Sequence, residues 1–214
     1  MLYNNLHNNI GGFAQPQPAT PTPQPQPATP TPSSKLDAVH QPSNNRPLNG
    51  MYDGLHVPME YIKSNLHSNC FAKYQDILKI KNLEKRGDAI FDFSANHFGT
   101  QPNAHIGTAI FKQAASTYCQ AGEKALLKGN TQKAAHLFTK GINAIQQMGI
   151  EGSTQYKNEI IADLSKVTGD LSLINGSKFE AKRHYKTAAN YYSLNNDMNK
   201  VNQMRSLIHS IKNK

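Results

Sequence analysis

The chain has 214 residues, a formal net charge of +9, 12 prolines and no tryptophan. That length suits one or two domains. No run approaches the roughly 20 apolar residues of a membrane-spanning helix. The N-terminal MLYNNLHNNIGGF has neither a basic start nor an apolar stretch, so no secretory signal is expected. Such a chain is expected in the cytoplasm, or translocated without a signal peptide, with Cys70 and Cys119 as reduced, packed thiols.

Residues 1–53 carry Lys35 and Arg46 against Asp37 and Asp53, so the charge excess lies beyond them. Within this segment QPQPATPTP occurs at Gln15–Pro23 and again at Gln24–Pro32. Alternate prolines lock φ and remove amide donors, which excludes both sheet and α-helix and predicts extended polyproline II. The pattern predicts a disordered Pro/Gln/Asn-rich arm over 1–53. It serves as a semi-rigid spacer or, through Pro18-Ala-Thr-Pro21 and Pro27-Ala-Thr-Pro30, as a docking site.

Residues 54–103 are expected to form N-terminal helices and a loop packing on the rest. Pro58 suits a first helical turn, and Met59, Ile62 and Leu66 follow on one face. Cys70–Lys85 carries Phe71, Tyr74, Ile77, Leu78 and Leu83 at helical spacing. Lys85-Arg86 followed by Gly87 reads as a helix end. Asp88–Phe98 then reads as a short helix or an irregular apolar segment, and Gly99–Asn103 as a loop. Arg86-Gly87-Asp88 spells an integrin-binding tripeptide, but three residues carry little information and a helix cap accounts for the glycine.

From residue 104 to 214 the periodicity is strong. Ile110, Ala114, Tyr118, Ala121 and Ala125 fall on one helical face, Gly129-Asn130 interrupts, and Ala134, Phe138, Gly141, Ile142 and Ile145 resume the stripe. Two striped helices joined by so short a turn must lie antiparallel. A second hairpin follows: Ile160, Leu164, Val167 and Leu171, a break at Asn175-Gly176, then Ala181, Tyr185, Ala188 and Tyr192. Shifting by 47 residues overlays Gly122 on Gly169, Gly129 on Gly176, Ala134 on Ala181, Phe138 on Tyr185 and Gly141 on Ala188. Val201, Met204, Ile208 and Ile211 add a final capping helix. The predicted fold is all-α: antiparallel helical hairpins stacked as a short solenoid or bundle behind a disordered arm.

Tyr118, Ala121, Gly122, Gly129, Ala134, Phe138 and Gly141 resemble the tetratricopeptide repeat, and Gly169, Gly176, Ala181, Tyr185 and Ala188 match it again. Ser165 and Thr168 depart from that pattern. The 47-residue period also exceeds the family's 34, so the resemblance is to divergent, longer-helix relatives. KAAHLFTKGINAI and YKNEIIADL are also similar to the second and third helices of the microtubule-interacting-and-trafficking domain. Stacked hairpins leave a concave groove through their curvature, which is expected to take a peptide or helix of a partner protein. The carboxylate-clamp lysine and asparagine of some tetratricopeptide proteins are replaced by Cys119 and Glu123.

No phosphate-binding, nucleophile-elbow or zinc-protease motif occurs, and the nine histidines show no ligand spacing, so no catalytic residue, metal or cofactor is expected. A Cys119 pairing with His105 or His136 is a nucleophile arrangement that the sequence leaves open. Residues 177–214 hold eight cationic side chains against Glu180 and Asp197. Lys178, Lys182 and Lys186 recur at helical spacing, with Arg183 beside them, and are the candidate partner-binding residues. The expected function is a non-enzymatic adaptor for an acidic, peptide or helical segment of another protein. The alternative is a basic module binding nucleic acid or anionic membrane through residues 178–214. A leaderless, basic chain with a proline tract and degenerate hairpins also resembles effectors that intracellular bacteria place in host cells.

Overall fold

The computed structural model describes residue 48 and residues 50–99, 105–149 and 154–211. The proline tract and most of the predicted arm lie outside the described residues. Eight α-helices and no strand occur among those that are described. A 3-10 turn at Asp53–Leu55 leads into α1 (Met59–Asn65), α2 (Ser68–Leu78), α3 (Leu83–Phe98), α4 (His105–Leu127), α5 (Thr131–Gln147), α6 (Thr154–Ile174), α7 (Lys178–Leu194) and α8 (Met198–Ser210). From α3 onward each helix packs chiefly on its neighbours in the chain.

Three of the reversals are one motif. After α4 the N–H groups of Gly129 and Asn130 donate to the carbonyls of Leu126 and Ala125 at 2.8 and 2.9 Å. After α6 the N–H groups of Gly176 and Ser177 donate to Leu173 and Ser172 at 2.9 and 2.8 Å. Both pairs close the last turn as a Schellman cap, which needs a left-handed residue. Gly129 and Gly176 supply it at φ 72° and 75°. The α7–α8 turn repeats the geometry with Asn196 at φ 58° in the glycine position. The side chains of Asn130 and Asp197 then accept the N–H groups of Lys133 and Lys200, capping α5 and α8.

Helix contact depends on rings laid against glycine. A Cβ built on Gly122 would lie 2.3 Å from the Phe138 ring, one on Gly169 2.7 Å from the Tyr185 ring, and one on Gly87 2.7 Å from the Tyr118 ring. Each glycine precedes an acidic residue. The Tyr118 hydroxyl donates to Asp88 at 2.8 Å and the Tyr185 hydroxyl to Asp170 at 2.6 Å. Phe138 has no hydroxyl. Glu123, next to Gly122, is buried and instead accepts the Leu48 N–H at 3.3 Å and the Tyr52 hydroxyl. A buried carboxylate without donors would be costly, and here the chain before α1 satisfies it.

Two expectations change accordingly. Gly87 does not end a helix. It lies buried within α3, where its missing side chain admits Tyr118. The break falls earlier, between Leu78 and Leu83, and Asn82 caps α3 by accepting the Lys85 N–H at 3.0 Å. Arg86-Gly87-Asp88 is thus helical, with Arg86 Nε donating to the Ile80 carbonyl at 2.7 Å. The edge of the arm also moves, because Leu48 and Tyr52 are buried in the core.

The stripes read from the sequence are the core. Ile110, Ala114, Tyr118, Phe138, Ile142 and Ile145 pack in one cluster with Ile160, Leu164 and Leu171. Ala181, Tyr185, Ala188 and Tyr192 pack with Val201, Met204 and Ile211 in a second.

Candidate functional site

One end of the stack gathers the start of α3, the α4–α5 turn and the α6–α7 turn. The Thr131 hydroxyl donates to Asn175 Oδ1 at 2.6 Å, tying the two turns side by side. Between α3 and the α4–α5 turn lies an open cleft of about 390 Å³. Lys81 enters it from the α2–α3 link, Lys124 and Lys128 from the end of α4, and Lys133 from the first turn of α5. Leu83, Ala121, Ala125 and Leu137 contribute its apolar wall. The one carboxylate among its described lining residues, Glu84, is 3.0 Å from Lys133 Nζ and 3.4 Å from Lys140 Nζ. The Lys133 hydrogen bond holds Glu84 below its usual pKa, against the effect of partial burial. The balance of charge in the cleft is cationic.

The predicted α7 residues divide. Lys178, Lys182 and Lys186 recur on one face, with Lys178 at the α6–α7 turn. Arg183 points elsewhere. Its Nε and Nη2 contact Glu180 at 2.8 and 2.6 Å, and it lines a second cleft of about 240 Å³ between α5 and α7. That cleft also holds His136, Glu180 and His184. Burial first, and then the Arg183 charge, lowers the His184 pKa, while Glu180 partly offsets this.

One further cation of the C-terminal excess, Lys200, pairs within the fold. Lys200 Nζ lies 3.7, 3.8 and 4.0 Å from Asp197, Asp163 and Glu159, and over the Tyr192 ring at 4.9 Å. The Tyr192 hydroxyl donates to Asp163 at 2.5 Å. Lys140 repeats this arrangement with Asp88 and Tyr118, and Lys166 with Asp170 and Tyr185. Three tyrosine–aspartate–lysine groups thus bridge helices. Burial, followed by the aspartates, pushes all three phenols above their usual range, so each stays a donor.

The Cys119 thiol is fully buried, and burial pushes its pKa up, away from the thiolate a nucleophile needs. Among the described residues no group of three or more His, Cys, Asp or Glu is arranged to hold a metal. None of the described helices is long and apolar enough to cross a membrane.

The cleft was not legible as a unit, because its lysines come from separate segments. The i,i+4 pair Lys124 and Lys128, just before the glycine turn, was its visible part. The sequence matches no protein-family model, and comparison with curated proteins and with solved structures finds no match either.

Proposed function

We propose that this chain is a non-enzymatic helical-hairpin adaptor, of divergent tetratricopeptide-like construction, that takes an acidic segment of a partner protein. The observation that carries this reading is the cleft beside α3, where four lysines face one carboxylate already engaged by Lys133 and Lys140. Its apolar wall gives a peptide side chain somewhere to pack, and the surrounding charge steers an acidic chain toward it. Lys178 on the adjoining turn extends the cationic surface toward Lys182 and Lys186. The ring-on-glycine contacts at Gly122 and Gly169 favour the repeat-like construction over a three-helix domain, since both hairpins use them at equivalent positions. Nucleic-acid binding through residues 178–214 has charge alone behind it, and Lys200 already lies within 4.0 Å of three carboxylates.

The test is titration with a fluorescent Glu-rich peptide carrying interspersed leucines. Binding should weaken at least tenfold in a Lys81→Glu/Lys124→Glu variant. Reversal of Lys178, Lys182 and Lys186 should slow association at low salt more than it speeds dissociation. Added salt should mimic part of that loss in the parent. Equal affinity of parent and cleft variant would refute the reading.

A further inference from the structure

The paired hairpin turns carry a feature that the cleft does not use. Leu127 and Ile174 are the last residues of α4 and α6, and they occupy equivalent places one 47-residue repeat apart. Both are exposed, at 64% and 46%, and Phe179 in the first turn of α7 is 78% exposed. Single exposed leucines are ordinary on protein surfaces. Three large apolar side chains at one end of a stack, on two turns tied by the Thr131–Asn175 hydrogen bond, are not scattered. A Cβ built on Gly129 or Gly176 meets nothing within 4 Å among the described residues, so no described segment covers the turns. Lys128 adjoins Leu127 and Lys178 adjoins Phe179.

We propose that this end of the molecule docks on the surface of an anionic lipid bilayer, with Leu127, Ile174 and Phe179 entering the headgroup region and Lys128 and Lys178 facing acidic headgroups. Leu127, Ile174 and Phe179 lie outside the lining of the peptide cleft, which shares only Lys128 with this surface. The two turns are tied side by side, so one surface can meet both at once. Apolar tips among lysines suit a boundary where hydrocarbon lies just beneath negative charge.

The absence of tryptophan from the chain makes a direct test available. Full-length protein carrying Phe179→Trp is mixed with vesicles of phosphatidylcholine alone, with vesicles also containing phosphatidylserine, and with polyglutamate. The expected result is a blue-shifted indole emission, quenched by brominated acyl chains, only with the anionic vesicles. In flotation, Leu127→Ser/Phe179→Ser and, separately, Lys128→Glu/Lys178→Glu should each lower the bound fraction about tenfold. Circular dichroism confirms that each variant keeps its helices. Binding unchanged by the serine pair would overturn the proposal. So would a blue shift produced by polyglutamate, or one that depends on protein concentration without lipid, which would mark a protein partner or self-association instead.

Discussion

The Tyr185 ring lies flat against Gly169, with its nearest carbon 2.7 Å from where a Cβ would stand. The hydroxyl of the same ring reaches the next residue, Asp170. Gly169→Ala therefore forces ring and helix apart. The expected cost is about 1–3 kcal/mol, as for overpacking elsewhere. Urea denaturation should show it, with Tyr185→Phe, which keeps the ring, losing less. Gly169→Ala melting like the parent would mean the helices are not this close.

Phe138 is fully buried at the equivalent place in the first hairpin. Phe138→Ala should lose about 3–5 kcal/mol. Gly141→Leu should also destabilise, because even a Cβ there lies 3.3 Å from Cys119 Sγ. Thermal melts of both variants check the hairpin register.

Glu123 ties the chain before α1 to the hairpin body through Tyr52 and Leu48. Tyr52→Phe removes one of the donors to a buried carboxylate and should cost about 1–3 kcal/mol. Limited proteolysis should then cut faster around residues 48–57, while the α4–α8 fragment resists as before. Unchanged cleavage there would show that the contact does not hold the segment.

His184 is held below its ordinary value of 6.5, so the unfolded chain takes up a proton that the folded chain refuses. The sign follows by linkage. The unprotonated fold is fully favoured above pH 6.5 and loses stability as the pH falls through and below that value. Glu180 and Arg183 on α7 and His136 across the cleft on α5 are its charged or titratable neighbours. His184→Leu installs the residue type found at the repeat-equivalent Leu137. It should reduce the drop in stability between pH 7 and 5, measured as the difference between parent and variant denaturation midpoints. Parallel pH profiles would refute it.

The hairpins and their stripes were legible because they are local. Apolar residues at helical spacing bury one face wherever that helix packs, and Gly129 and Gly176 stop it with a left-handed residue that few others adopt. The third turn at Asn196 left a fainter mark, the run Asn195-Asn196-Asp197, because asparagine also serves as a cap and as a surface residue. Gly87 shows where local reading stops. Glycine both ends helices and makes room for a ring, and the choice depended on Tyr118, 31 residues away in sequence. Charge behaves the same way. Sequence alone determined that the C-terminal helices are basic and that α7 carries lysines on one face. Only the tertiary structure decided that Lys200 lies within 4.0 Å of three carboxylates, that Arg183 turns into another cleft, and that Lys81, Lys124, Lys128 and Lys133 line one cleft. Whether a cation is available depends on what neighbouring helices place within a few ångströms of it.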